Sequence, residues 1–209
     1  MGLKRACVIL SGGLSRRFGQ DKCLKELAGK PLVVHVLDRI ATVVDLRLVV
    51  VGSEAQRETL CRMPHLNAEV VVDRYGDGGP LIGALTGFDG AGAAYALLLP
   101  CDAAFVSPKV VDLLFDLCVG RSAAIPRWPN GYIEPLQAVY DVKRSREAAK
   151  VALDEGKRDM NAMISRLSGV RYVSTLVLQQ FDEKLTTFFN INTVGDWKRA
   201  ESMLKRSRS

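Results

Sequence analysis

The sequence lacks the patterns that mark membrane, secreted and zinc-binding proteins. Its longest apolar run, residues 93–100, is far too short to span a bilayer, which argues against a transmembrane protein. The apolar residues 6–10 are too few for the core of a signal peptide. The five cysteines are an odd number without a C-x-x-C pair, which argues against a disulfide framework or a zinc site. We therefore expect a reduced, cytoplasmic protein with no membrane partner.

Histidine is scarce, and the two common glycine-loop signatures are missing. Only two histidines occur, and neither has a serine or cysteine partner in an arrangement typical of nucleophilic catalysis. The dinucleotide pattern G-x-G-x-x-G and the P-loop pattern G-x-x-x-x-G-K-[ST] are both absent. The net charge of +6 is modest and the densest basic stretch is the tail 205–209, so we expect no nucleic-acid partner. The same charge suits a small, phosphate-bearing molecule.

What the sequence does contain is an alternation of strand-like and helix-like segments over residues 1–120. The predicted strands are 6–10, 46–51, 69–72 and 95–99, and the predicted helices are 31–40, 53–63, 81–88 and 107–117. This order predicts an α/β fold with a mostly parallel central sheet and helices on both of its faces.

Residues 121–209 have a different pattern but are joined to the first part without a linker or a repeat. We therefore expect one domain, 1–209, in which the second part extends the sheet. The predicted strands here are 123–126, 136–140 and 188–191, and the predicted helices are 143–153, 160–167 and 193–204.

The turn after the first strand is the strongest candidate for a binding site. Gly12 and Gly13 let backbone N–H groups approach a ligand closely, and successive N–H groups form a concavity that holds phosphate. Arg16, Arg17 and Lys22 add three cations within seven residues. The alternative is an ordinary strand-to-helix turn with solvated arginines, but the added cations favour phosphate binding.

Three further segments carry polar residues where strands end or loops begin. Residues 73–83 are rich in glycine, which suits a loop that wraps a flat ligand or, equally, a flexible crossover. Asp102 follows the most apolar strand, where ligands of open parallel sheets bind, and its carboxylate suits Mg²⁺ unless it caps the next turn. Asn190 and Asn192 share one face and offer amide groups, or serve a turn before the last helix.

In combination these segments resemble the molybdenum cofactor guanylyltransferases, the MobA family. Residues 10–22, LSGGLSRRFGQDK, resemble the family signature L-x-G-G-x-S-x-R-M-G-x-D-K, with Phe18 in place of methionine. The family's GKPL, GPLAG, CD and N-x-N-T motifs are similar to residues 29–32, 79–83, 101–102 and 190–193, in the family's order.

The resemblance implies a Rossmann-like nucleotidyltransferase fold and the transfer of GMP from GTP to molybdopterin, with release of pyrophosphate. It implies a nucleotide-binding part (1–120), an acceptor part (121–209), Mg²⁺ as the cofactor, and other cofactor-biosynthesis proteins as further partners. The implied catalytic residues are Lys22, Asp102, Arg16 and Arg17, and the implied metal ligands are Asp102 and Asn192. The implied nucleotide-binding residues are Leu10, Ser11, Gly12, Gly13, Lys22, Asp73, Gly79, Pro80, Leu81 and Asp102.

Two other functions are compatible with the same residues. One is a related nucleotidyltransferase that transfers cytidylate to molybdopterin, or guanylate to a corrinoid or a sugar phosphate. The other is a non-catalytic GTP-binding cofactor carrier, which would be stabilised by GTP and Mg²⁺ but would not turn over.

Overall fold

The fold is built on one seven-stranded sheet. The computed structural model describes residues 3–11, 22–64, 66–75 and 79–206. In chain order the strands are β1 (Arg5–Leu10), β2 (Glu26–Leu27), β3 (Lys30–Pro31), β4 (Leu46–Val51), β5 (Glu69–Val72), β6 (Tyr95–Pro100), β7 (Ala123–Arg127), β8 (Ala138–Asp141) and β9 (Val170–Ser174). The spatial order of the large sheet is β5-β4-β1-β6-β8-β7-β9, and β2 pairs with β3 in a separate hairpin. Within the large sheet β8 runs antiparallel to both of its neighbours, and the other pairings are parallel.

Helices cover both faces of this sheet, as predicted. They are α1 (Leu32–Ile40), α2 (Glu54–Cys61), α3 (Pro80–Gly90), α4 (Pro108–Cys118), α5 (Val142–Asp154), α6 (Met160–Ile164), α7 (Thr175–Leu178) and α8 (Val194–Arg206). None of the helices in the described residues has the length and apolar character needed to cross a membrane.

The central strand β1 explains why two separate hydrophobic layers form. Successive side chains of a strand point to opposite faces. Cys7 and Ile9 are fully buried against α1 and α4, whereas Val8 and Leu10 are buried against α3. A strand that is apolar at every position is thus a strand buried on both faces.

The second half of the chain differs from the prediction at several places, and one of them is the short helix α7, which the sequence analysis did not predict. The predicted strand 188–191 is wrong: Thr186–Phe188 is a short 3-10 helix, and the residues that follow belong to no strand. The sequence analysis missed β9, an edge strand that pairs in parallel with β7. Its residues are mostly half-buried or exposed, so it lacks the apolar run by which the buried strands were recognised.

The contact between α3 and β1 depends on a glycine. A Cβ built on Gly87 would lie 2.2 Å from Cγ1 of Val8, far inside van der Waals contact. Glycine therefore lets this helix pack directly on the sheet, although it is a poor helix former.

We predict that Gly87→Ala lowers the free energy of unfolding, by about 1–3 kcal/mol as is typical of overpacking. Gly195→Ala in α8 is the matched control, since its added Cβ would meet its nearest neighbour at 3.5 Å, an ordinary contact. That control should be neutral or stabilising in urea denaturation. Equal stability of the two variants would contradict this account of the α3–β1 contact.

Candidate active site

Lys22 joins two of the polar segments singled out in the sequence. Its Nζ group donates hydrogen bonds to Oδ2 of Asp102 and, at 2.8 Å, to Oδ1 of Asn192. Lys22 and Asp102 are 9% and 7% exposed, so both charges are largely removed from water. These partners are 80 and 170 residues away from Lys22 along the chain. The fold therefore brings Lys22 and Asp102, two of the four predicted catalytic residues, together with Asn192, a predicted metal ligand.

The sheet places Asp102 at this site. Asp102 follows β6, and the main-chain N–H of Cys101 donates to the carbonyl oxygen of Leu10 at 3.1 Å, which continues the pairing of β6 with β1. Because β1 and β6 are parallel, their carboxyl ends lie at the same edge of the sheet. The site is thus at the edge where ligands of open α/β sheets bind.

Main-chain hydrogen bonds of residues 191–193 fix the position of Asn192. The N–H of the preceding residue, Ile191, donates to the main-chain oxygen of Asp102 at 3.4 Å. The N–H groups of Asn192 and Thr193 donate to Oδ2 of Asp196 at 3.1 and 2.8 Å, and Thr193 Oγ1 receives the N–H of Asp196. Hydrogen bonds from Thr193 and Asn192 lower the pKa of the Asp196 carboxyl. This reciprocal cap at the start of α8 fixes the backbone from which Asn192 extends.

Two buried polar atoms at the ends of β1 and β6 have no partner among the described residues: Oγ of Ser11 and Oδ1 of Asp102. Ser11 is anchored by its N–H, which donates to the carbonyl oxygen of Val50 at 2.8 Å. Buried polar atoms are nearly always hydrogen-bonded, because leaving one unpaired costs about 1–3 kcal/mol. Two such atoms on neighbouring strand ends indicate that this edge is shaped for a ligand.

The oxygen atoms at this site fit a divalent cation. One carboxylate oxygen of Asp102 contacts Lys22 and the other has no partner among the described residues. Asn192 directs its amide oxygen to the same ammonium. Carboxylate and amide oxygens are the ligands that hard cations such as Mg²⁺ prefer. No cluster of three or more His, Cys, Asp or Glu side chains occurs in the described part of the chain. A metal ion here would therefore complete its coordination with water or substrate oxygens.

Asp73 lies at the same edge of the sheet, at the end of β5. Its N–H donates to the carbonyl oxygen of Val51 at 2.8 Å. Its Oδ1 accepts from Oγ1 of the buried Thr86 at 2.8 Å and from the N–H of Tyr75 at 3.2 Å. Three strand spacings separate β5 from β6, which places Asp73 about 14 Å from Asp102. Thr86, which the sequence analysis did not single out, holds this carboxylate in place.

The Gly79-Pro80-Leu81 segment forms the start of α3. Gly79 has a φ of 123°, and a Cβ there would lie 2.8 Å from the carbonyl oxygen of Arg158, so only glycine is tolerated. Pro80 occupies the first helical turn. The side chains of Leu81 and Leu10 are buried in the core. Only their backbones would be available to a ligand. Gly12, Gly13, Arg16 and Arg17 lie outside the described residues.

The structure adds a residue that sequence reasoning missed, the buried Gln137. Its Nε2 donates to the carbonyl oxygen of Thr187 at 2.7 Å and to Oδ1 of Asn190 at 3.3 Å. The only sign of this role in the sequence is a polar residue beside the apolar start of β8. Its partners are about 50 residues away along the chain, so the sequence does not show which groups it contacts.

The histidine that the structure describes has no catalytic partner. Nε2 of His35 lies 2.8 Å from the carbonyl oxygen of Leu27, and burial lowers the pKa of the imidazole. We therefore interpret the hydrogen-bonded His35 in α1 as a structural residue. His65 lies outside the described residues.

Comparisons with known proteins agree with this geometry. Residues 7–170 match the MobA-like NTP transferase domain family. The chain is 35% identical over 197 residues to a probable molybdenum cofactor guanylyltransferase of Methanosarcina mazei, covering 92% of this chain and 88% of the relative. A protein of the same description from Pyrococcus horikoshii is 32% identical, with 93% of this chain and 97% of the relative covered.

Solved structures extend the comparison. Molybdopterin-guanine dinucleotide biosynthesis protein A from Archaeoglobus fulgidus superimposes with a TM-score of 0.82 at 30% identity, covering 96% of this chain and 99% of that one. A 2-C-methyl-D-erythritol 4-phosphate cytidylyltransferase from Thermus thermophilus has a TM-score of 0.68 at 16% identity over 95% and 98% of the two chains, which shows a common fold only. With its Lys22–Asp102–Asn192 site at the sheet edge, this chain is a nucleotidyltransferase and belongs to the molybdenum cofactor guanylyltransferase family of MobA-like NTP transferases.

Proposed function

We propose that this protein transfers GMP from GTP to the terminal phosphate of molybdopterin, which yields the molybdopterin guanine dinucleotide cofactor and pyrophosphate. Its membership of the molybdenum cofactor guanylyltransferase family, by sequence and by fold, supports the reaction type. The observation that carries the proposal at atomic level is the buried Lys22 ammonium between Asp102 and Asn192. Next to it lies Oδ1 of Asp102, which has no hydrogen-bond partner in the described part of the chain.

The reaction needs charge neutralisation rather than a general base. A phosphate oxygen of molybdopterin attacks the α-phosphorus of GTP, and the bond to the β-phosphate breaks. The attacking oxygen is already anionic at neutral pH, which agrees with the structural role of His35. The barrier comes from bringing two anions together, so positioning and electrostatic stabilisation supply the catalysis.

The chain's own cations carry out this neutralisation. Lys22 supplies a desolvated positive charge, which acts more strongly on phosphate oxygens than it would in water. We assign the glycine turn Gly12-Gly13 to the triphosphate and Arg16 or Arg17 to the leaving pyrophosphate. The nucleotide-binding part, 1–120, thus supplies Lys22 and Asp102, and the acceptor part, 121–209, supplies Asn192.

Membership of the family indicates dependence on a divalent metal ion, and we propose that the ion is Mg²⁺. Asp102 and Asn192 would hold it, because both place side-chain oxygens at the same point. When bound, Mg²⁺ neutralises negative charge on the triphosphate.

Asp73 is proposed to select the base. Thr86 and Tyr75 occupy Oδ1 of Asp73, whereas Oδ2 makes no hydrogen bond within the described residues. A carboxylate oxygen accepts hydrogen bonds from the N–H groups of guanine, and cytosine presents no matching pair of donors. The distance from Asp73 to Asp102 leaves room for a nucleotide, with its base at one end and its phosphates at the other.

We predict that Asp102→Asn keeps the fold and a hydrogen bond to Lys22 but lowers the rate of product formation by 100-fold or more, because the carboxylate charge is lost. Lys22→Met should cost about 10- to 100-fold, the equivalent of one charged hydrogen bond. The measurement is product analysis and pyrophosphate release with GTP, molybdopterin and Mg²⁺.

Asp112→Asn is the matched control. Asp112 lies on α4 and is a half-exposed partner of Arg5 at the amino end of β1, away from the carboxyl ends of the strands. This variant should leave the rate unchanged. Wild-type release of pyrophosphate by a folded Asp102→Asn protein, with an unchanged Mg²⁺ dependence, would refute the metal assignment.

Ser11→Ala should separate folding from binding. The hydroxyl is buried and has no partner among the described residues, so removing it should leave the free energy of unfolding unchanged or raise it by about 1 kcal/mol. The same change should weaken GTP binding several-fold in calorimetric titration, since the hydroxyl is proposed to face the nucleotide. A loss of stability with unchanged GTP affinity would show that Ser11 has only a structural role.

Asp73→Ala should reduce the preference for GTP over other nucleoside triphosphates by about 10- to 100-fold, the range expected for a lost charged hydrogen bond. A panel of GTP, ATP and CTP with molybdopterin, scored by kcat/KM, measures this preference. Thr86→Val is the companion variant, because it removes the hydrogen bond to Oδ1 and should give a smaller loss of the same kind. A wild-type enzyme that prefers CTP would favour the cytidylyl alternative, and an unchanged preference in Asp73→Ala would exclude Asp73 as the selector.

A further inference from the structure

Two asparagines flank the point at which the chain contacts the main chain of Asp102. Ile191 donates its N–H to the carbonyl oxygen of Asp102, and Asn190 and Asn192 lie on either side of it. Asn192 contacts Lys22, whereas Asn190 is half-buried and contacts Gln137. The direction in which each amide points decides what each can bind.

The orientation of the Gln137 amide follows from its partner. Nε2 of Gln137 lies 2.7 Å from the carbonyl oxygen of Thr187, and a main-chain carbonyl oxygen only accepts hydrogen bonds. The nitrogen of Gln137 must therefore face Thr187. The same nitrogen donates to Asn190 at 3.3 Å, so the oxygen of the Asn190 amide must be the atom turned toward Gln137.

The two asparagines consequently present opposite groups. Lys22 only donates, so Asn192 turns its oxygen toward the ammonium. The amide oxygen of Asn190 accepts a hydrogen bond from Gln137. The NH₂ group of Asn190 donates no hydrogen bond within the described residues. An oxygen suits a cation, whereas an NH₂ group suits an anion such as phosphate.

The residue whose carbonyl oxygen accepts from Gln137, Thr187, is itself fixed by hydrogen bonds. Oδ2 of Asp182 accepts the N–H and the hydroxyl of Thr187, both at 2.7 Å. The Thr187 hydroxyl oxygen in turn accepts the N–H of Ser107 at 3.1 Å, at the start of α4. Gln137 is 2% exposed, so water does not compete for its amide. The network therefore transmits a fixed orientation to Asn190.

We propose that Gln137 is a positioning residue that locks the amide of Asn190 with its NH₂ group outward, as a donor for the anionic phosphate of the acceptor substrate. This proposal rests on the proposed function, because the phosphate that Asn190 would bind is the nucleophile of that reaction. It gives the acceptor part of the site a preference for substrates that end in phosphate.

The test is the effect of Gln137→Met on the two substrates separately. Methionine is close to glutamine in size but donates no hydrogen bond, so the Asn190 amide is free to rotate. We expect the KM for molybdopterin to rise about tenfold, with an unchanged KM for GTP. Loss of a merely structural contact would lower the melting temperature or affect both substrates together.

Asn190→Asp is a second variant, for use if Gln137→Met does not fold, and we expect it to keep the fold. An aspartate oxygen still accepts from Gln137, but the NH₂ donor is gone and a negative charge takes its place. The KM for molybdopterin should rise at least as much as in Gln137→Met. The double variant Gln137→Met/Asn190→Ala should be no worse than Asn190→Ala alone, and additive effects would overturn the proposal.

A readout without turnover separates this inference from the proposed function. In the wild-type protein the side-chain NH₂ resonance of Asn190, identified by its absence in Asn190→Asp, should shift when inorganic phosphate is added. The shift should be lost in Gln137→Met. A resonance that ignores phosphate overturns the role of Gln137, whereas a normal shift without product from GTP and molybdopterin overturns the proposed acceptor only.

Discussion

The ammonium of Lys22, held between Asp102 and Asn192, joins the first half of the chain to its last segment. Removing two charges from water is expensive, and such a pair stabilises a fold weakly at best. Losing one member of the pair is nonetheless costly, because the remaining charge is left buried and alone. The pair therefore contributes more to the chemistry of the site than to the stability of the sheet around it.

The sheet decides where that pair lies. Parallel strands β5, β4, β1 and β6 end at one edge, so side chains that follow different strands converge there. Asp73 and Ser11 come directly after β5 and β1, and Asp102 comes two residues after β6. The antiparallel β8 then turns the chain back, and the segment after β9 returns to this edge with Asn190 and Asn192.

The direction of the hydrogen bonds determines which atom each amide presents at this edge of the sheet. Lys22 and the carbonyl of Thr187 each have one possible role, as donor and as acceptor, and they orient the amides of Asn192 and Gln137. The result is a site with oxygen atoms on one side and an NH₂ group on the other. The proposed reaction, between two phosphate anions with a divalent cation, would use both kinds of group.

The sequence by itself determined the βα order, the helices on both faces and the polar residues at the ends of β1 and β6, because these depend on local periodicity and on residues that follow strands directly. It also carried the motifs by which the family resemblance was stated. It did not reveal β9, the 3-10 helix Thr186–Phe188, or the roles of Thr86 and Gln137. An edge strand has no apolar run, and the partners of Gln137 are about 50 residues away, so only the tertiary structure brings them together.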